Sequence, residues 1–332
     1  WRSFELPERK GDAYDYYIAG NEDTDLFEKI FLVDDIVEEI CKPDKYFLIG
    51  EKGSGKTAYS VYMSKSDKIN SFCSISLVEN TLYQRFLNMK RQKALELSSF
   101  KDVWINLIYL ILAEKIRKEY GETFFSSMKY KQLSKAIDVF YSDAFKPEFV
   151  NAFEFVDNAS ASINSMMKQG LFSTGTKASA ETSQKYVEQS FQISLLKIRD
   201  GFEKAFMSVN LKKPTILFVD GIDARPRDID NEQYFECLVG LVNAVLEMNQ
   251  SFLKEKQIKI MLLIRPDIMY KMPVHNMNQK LRNNSVLLNW VTSYRKYIDS
   301  KLFKIADDYF MKQQDYSYEL GECWNYYFPY KV

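Results

Sequence analysis

Eight consecutive residues, Gly50-Glu51-Lys52-Gly53-Ser54-Gly55-Lys56-Thr57, fit the pattern G-x-x-x-x-G-K-[ST] in full. Each residue type in that pattern has a physical task. Glycines let successive backbone N–H groups turn inward and form a nest for an anion. A helix opening near Gly55 adds the positive end of its dipole. The Lys56 side chain can reach the β- and γ-phosphates of a nucleotide, and the Thr57 hydroxyl is a hard oxygen ligand for Mg²⁺. With Ala58 closing it, the stretch is a candidate phosphate cradle. The bland alternative is a tight turn between a strand and a helix. The rest of the chain has to decide, because a phosphate cradle needs a metal-holding carboxylate elsewhere.

That carboxylate is offered by Ile216-Leu217-Phe218-Val219-Asp220. Four apolar residues bury a strand, and Asp220 emerges at its carboxyl end, the edge where open α/β sheets bind ligands. Asp220 would hold Mg²⁺ through its water shell, opposite Thr57. Asp223, in "DGID", is a second carboxylate, placed to polarise an attacking water or to support the metal. Against this stands a simple turn made by the two aspartates. A third strand, "IKIMLLIRPDI", ends at Arg265 and Asp267. Arg265 would supply positive charge where negative charge develops in a phosphoryl-transfer transition state. Its plainer reading is a surface arginine before Pro266.

These residues need elements to hold them. "KYFLIG" reads as a short buried strand before the glycine loop, and "KTAYSVYMSK" as the helix after it. "INSFCSISL", "PTILFVDGID" and "IKIMLLIRPDI" read as further strands. Apolar spacing predicts a helix over Leu26–Ile40, broken by "KPD". It predicts helical structure from Thr81 to about Tyr141, a long helix in "VEQSFQISLLKIRDGFEKAFMSV" and another in "YFECLVGLVNAVLEMNQSFL". From Leu287 onward the chain reads as helical, clearest in "WVTSYRKYIDSKLFKIADDYFM". Residues 162–186, rich in Ser, Thr, Gly and Ala, read as a hairpin, a loop or a linker. Continuous apolar strands separated by helices predict an α/β fold with a mostly parallel sheet covered on both faces.

The bulk composition narrows the classes. The chain has 332 residues, 46% of them hydrophobic, enough for a packed core. Its 45 basic and 45 acidic residues cancel, so no global charge draws it to nucleic acid or an anionic membrane. Four scattered cysteines and a single histidine, His275, argue against a conventional zinc site. Buried, reduced thiols predict a cytoplasmic protein. No apolar run reaches the ~18 residues of a membrane span. The first residue is Trp rather than Met, which reads as a piece of a longer protein.

The three motifs in this order resemble the large P-loop ATPase class that includes AAA+ and STAND proteins. "VDGID" is similar to the STAND form of the Walker B motif, and the strand-ending Arg265 to the arginine sensor of that class. More narrowly, "FLIGEKGSGKTA", "ILFVDGID", "NAVLEMN", "IKIMLLIRPDI" and "NMNQKLRNNSVLLNW" together resemble a bacterial P-loop ATPase family associated with defence or conflict systems. The resemblance covers residues 13–63 and 214–300. It implies ATP and Mg²⁺ as cofactors, with Gly50–Ala58 around the phosphates and Thr57 and Asp220 at the metal. Lys56, Asp220, Asp223 and Arg265 would be the catalytic set. It implies hydrolysis by direct attack of water on the γ-phosphate, in a nucleotide-driven switch or assembly module of an antiviral system. Implied partners are further copies of the chain and an effector protein or additional C-terminal domain.

The same reading divides the chain into residues 1–80 with the phosphate loop, a helical insertion at 81–200, the Walker B and sensor half at 201–290, and a C-terminal helical region at 291–332. One departure matters. Ala224 follows Asp223 where STAND proteins often carry glutamate. That departure keeps open an ATP-binding oligomerisation scaffold with little hydrolysis. A nucleic-acid-dependent ATPase is a third reading. No LSGGQ or NKxD motif is present, so ATP is expected over GTP. Tyr14–Phe27 is placed to cover the adenine.

Other residues carry weaker signals. Arg225 and Arg227 read as a solvated turn or as an arginine finger. Lys280 and Arg282 precede "SVLLNW" and could serve the nucleotide or an interdomain contact. "MKRQK" at Met89–Lys93 reads as a solvated helix face rather than a nucleic-acid site, and His275 as a surface or packing residue.

Overall fold

A computed structural model describes residues 2–3, 12–18, 31–78, 99–126, 130–143, 195–222, 231–272, 281–289 and 297–329. Five parallel strands form one sheet in the order β2-β3-β4-β1-β5, where β1 is Phe47–Gly50, β2 Phe72–Leu77, β3 Thr215–Asp220, β4 Ile258–Ile264 and β5 Ser285–Leu288. The register pairs Ile49 with Ile264 and Leu77 with Asp220. Because all strands run the same way, Gly50, Asp220 and Ile264 end at one edge. The expected parallel α/β architecture is therefore present.

The helices are α1 (Ala13–Ile18), α2 (Asp35–Cys41), α3 (Lys56–Lys65), α4 (Ser99–Ser126), α5 (Lys131–Asp143), α6 (195–208), α7 (Asn231–Asn249), α8 (Pro266–Lys271), α9 (Lys301–Met311) and α10 (Glu322–Tyr327). Strand side chains alternate between the two faces, as the pleat requires. Leu48, Ile216, Phe218, Met261, Leu263 and Val286 face a cluster that includes Tyr59, Val61 and Tyr62 of α3. Phe47, Ile49, Leu217, Val219, Ile260 and Leu262 face the larger cluster with α4, α5, α6 and α7. The described helices of the 81–200 segment thus share one core with the strands. Trp104 is 1% exposed there, and its indole N–H donates to the Cys237 carbonyl at 3.1 Å.

The route of the chain explains where a cleft can form. From β1 it crosses over β4 and β3 to β2 on the α3 face. From β2 through β3 to β4 it returns on the other face. Opposite directions on opposite faces give crossovers of one hand, as parallel sheets demand. The direction reverses between β1 and β4, and such switch points open a crevice at the carboxyl edge.

Three sequence expectations need correction. Of the helix predicted over Leu26–Ile40, residues 26–30 lie outside the described residues, residues 31–34 are not helical, and α2 starts at Asp35, where the Asp34 carboxylate accepts from the Ile36 N–H at 3.2 Å. The helical reading from Leu287 onward missed β5, which pairs with β1 from Ser285 to Leu288. Four residues are too few to show a period. The expected segment ending at Met311 is also broken: Tyr297–Asp299 is a 3-10 turn, and Ser300 caps α9 by accepting from the Phe303 N–H at 3.0 Å. The Met89–Lys93 and 162–186 readings lie outside the described residues.

Candidate functional site

The glycine loop follows β1 and opens α3, the context its chemistry requires. Gly53 and Gly55 have φ of 79° and 90°, the left-handed region that favours glycine. At Gly50 the constraint is space: a Cβ would stand 2.2 Å from Ser54 Oγ and 3.0 Å from Leu288 Cβ. Gly55 is the N-cap of α3 and makes no side-chain cap hydrogen bond. The start of the ten-residue helix α3 is thus left open to an anion.

Lys56 is 9% exposed, and its ammonium donates to the carbonyls of Gly50 at 2.9 Å and Glu51 at 3.1 Å. The loop folds over its own lysine. One residue on, the Thr57 hydroxyl donates to Asp220 Oδ2 at 2.6 Å, a contact between residues 163 positions apart. The other Asp220 oxygen accepts the Gly221 N–H at 2.7 Å. Gly221 has φ of 84°, and a Cβ there would lie 3.0 Å from the Val78 carbonyl. The turn after β3 is therefore held tight against the end of β2, where the Val78 N–H donates to the Asp220 carbonyl at 2.8 Å. Ile222 is buried, and its carbonyl accepts the Tyr234 hydroxyl at 2.5 Å. Asp223, Arg225, Arg227, His275 and Lys280 lie outside the described residues, and Arg282 is exposed.

Arg265 caps α8 from the end of β4, with Pro266 at the first helical position. Its guanidinium meets Asp267 through two bonds, Nε to Oδ1 at 2.9 Å and Nη2 to Oδ2 at 2.8 Å. The fork is pre-oriented by this bidentate pairing. The sequence reading named Asp267 only as a strand end. The i, i+2 spacing across Pro266 is the signal that pairs it with Arg265.

These groups surround one cavity of about 810 Å³, within the range of ordinary ligand sites. Lys56, Thr57, Asp220 and Arg265 line it together, and Lys52, Gly53, Gly55 and Ala58 complete the loop side. Gly50, Glu51 and Ser54 build the turn behind. Asp12, Tyr14 and Asp15, at the start of α1, form the opposite lip. Sequence had placed the Tyr14–Phe27 stretch near the base. Of it, Tyr14 and Asp15 line the cavity, and residues 19–27 lie outside the described residues.

Two oxygen ligands, a hydroxyl and a carboxylate, suit a hard divalent cation that keeps most of its waters. Among the described residues no group of three His, Cys, Asp or Glu side chains is arranged for a metal. A cation here would take part of its shell from water and from the ligand. The residues fit Mg²⁺ with a polyphosphate.

Just behind Thr57, the Tyr59 hydroxyl donates to Asp34 Oδ1 at 2.8 Å, and burial followed by that bond pushes its pKa far up. The Lys301 ammonium reaches the other Asp34 oxygen at 2.8 Å. The first turns of α3 are thereby wired to α2 and to the C-terminal helix α9.

No protein-family model, no curated protein and no solved structure matches this chain.

Proposed function

We propose that the chain is a P-loop ATPase that binds Mg²⁺–ATP in the cavity between the Gly50–Thr57 loop and the ends of β3 and β4. The single observation that carries this reading is the 2.6 Å contact of Thr57 with Asp220, across the mouth of a loop whose lysine points back into it. Charge supports it as well. Lys52, Lys56 and Arg265 in the cavity wall are matched by Asp12, Asp15 and Asp220. A triphosphate, with about four negative charges, would be under-compensated there without a divalent cation.

Roles follow from placement. The loop N–H groups and the α3 dipole hold the phosphates, and Lys56 neutralises them. Thr57 and Asp220 hold the metal. The metal, when bound, supplies Lewis-acid stabilisation of charge on the phosphates. Arg265 faces the same space from β4, and Asp223 follows two residues after the tight Gly221 turn as the candidate to orient water. On this reading the protein is a nucleotide-driven switch or assembly module. Its place in bacterial defence rests on sequence resemblance.

The test is steady-state ATP turnover with Mg²⁺ for the wild type, Lys56→Ala and Asp223→Ala. Expected is turnover in the wild type and a loss of at least about a hundredfold in both variants. ATP binding without turnover would establish the scaffold reading instead.

A further inference from the structure

A second cavity, of about 850 Å³, opens beside the edge strand β2, away from the phosphate loop. Five lysines line it: Lys65 from the end of α3, Lys115 and Lys118 from α4, and Lys212 and Lys213 from the turn before β3. They converge from three separate elements. Lysines that merely guard a sheet edge sit on the edge strand itself, and β2, FCSISL, carries none. Among the described residues of the wall, Asp67 and Glu119 are the two carboxylates, so lysines outnumber them there in a chain of zero net charge. Lys118, Lys212 and Lys213 form no ion pair with a described residue, and the Lys65 ammonium lies over the Tyr17 ring, 5.7 Å from its centroid.

Aromatic rings share the wall with these charges. Tyr14 and Tyr17 stand on the α1 side with centroids 5.5 Å apart, and Phe72 and Tyr120 on the other with centroids 6.2 Å apart. All four rings are half-buried, so each keeps part of its surface open. A basic trough with partly exposed aromatic rings is how single-stranded nucleic acid is bound: lysines follow the phosphates and rings stack on bases. Among the described residues the lining holds no arginine, the side chain whose bidentate fork reads guanine. The trough is concave and about as large as a small-ligand site, which suits a few nucleotides of one strand rather than a duplex or a flat bilayer.

We infer that this trough is a sequence-tolerant binding site for single-stranded nucleic acid. Tyr14 lines both this trough and the phosphate cavity, so α1 lies between the two.

The experiment is fluorescence anisotropy of a labelled oligothymidylate of about fifteen nucleotides, titrated with the full chain at low salt without nucleotide. Expected is saturable binding that weakens steadily as salt rises. Combining Lys118→Glu, Lys212→Glu and Lys213→Glu should weaken it at least about tenfold, while Lys56→Ala binds the oligonucleotide as the wild type does. The Lys56 arm keeps this result separate from the ATP reading. Absence of binding by the wild type, or unchanged binding by the triple variant, overturns the inference. So does heparin competing on equal terms while Tyr17→Leu, its fold checked by circular dichroism, still binds the oligonucleotide fully. That pattern would make the trough a general polyanion surface.

Discussion

Lys56 and Lys259 are both buried lysines, and their surroundings give them opposite characters. Lys56 sits at the carboxyl edge of the sheet, in a loop open to a ligand. Lys259 sits near the other edge, where its ammonium donates to the carbonyls of Ile40 and Lys42 and closes the end of α2. Burial pushes the Lys259 pKa down, from 10.5 to about 8. Below about pH 8 the folded chain carries the full cost of a buried ammonium. Between about pH 8 and 10.5 the unfolded chain binds more protons, so this group's contribution to stability rises with pH. Cys73, which burial raises to about 12, works in the opposite direction above pH 9.0. A comparison with Lys259→Met removes the part of that effect that comes from burial alone. In urea unfolding at about pH 7 and about pH 10, the wild type should gain about 1–3 kcal/mol on the variant at the higher pH. A pH-independent difference would mean that the ammonium titrates as in water.

The elements were legible where burial on both faces made a strand uniformly apolar. β1, β3 and β4 read directly from "YFLIG", "ILFVD" and "IKIMLLI", and each is buried throughout in the fold. The loop, Lys56, Thr57, Asp220 and Arg265 were legible with them, because their residue types are tied to strand ends. β5 was not: it is four residues long, and Leu287 is 60% exposed. Asn249 was quoted in "NAVLEMN" without a role. It is buried and clamps β4, donating to the Ile260 carbonyl at 2.7 Å and accepting the Ile260 N–H at 2.9 Å. A hydrogen bond between residues distant along the helix and strand leaves no local period to read. The same holds for Asp307, 1% exposed in α9, which accepts the N–H groups of Gly321 at 2.6 Å and Trp324 at 2.8 Å. These bonds seat α10 on α9. Asp307→Ala should destabilise the C-terminal helices by about 1–3 kcal/mol, read as loss of amide-exchange protection over residues 301–327. Unchanged protection would show that the Phe303, Phe310 and Trp324 ring contacts suffice.

At the scale of the molecule, the C-terminal helices are tied back to the half that carries the Gly50–Thr57 loop. Asp34 joins α2, Tyr59 of α3 and Lys301 of α9, and the Lys312 ammonium donates to the Phe31 carbonyl at 2.9 Å. A ligand that tightens the first turn of α3 therefore acts on a helix linked through Asp34 to α9. Such wiring is what a switch needs, since a ligand shifts an equilibrium only through contacts that differ between states. Among the described residues no helix is long and apolar enough to cross a membrane, as the sequence led one to expect.

The central claim is that the Gly50–Thr57 loop and Asp220 form one Mg²⁺–nucleotide site. Isothermal titration calorimetry of ATP into the wild type, Lys56→Ala and Asp220→Asn, each with Mg²⁺ and with EDTA, tests it most directly. The account predicts one saturable site in the wild type, at least about tenfold weaker in EDTA, with no measurable binding to Lys56→Ala. It also predicts that Asp220→Asn loses most of the Mg²⁺ dependence. No ATP binding by the wild type, or equal binding by all three proteins, would contradict it.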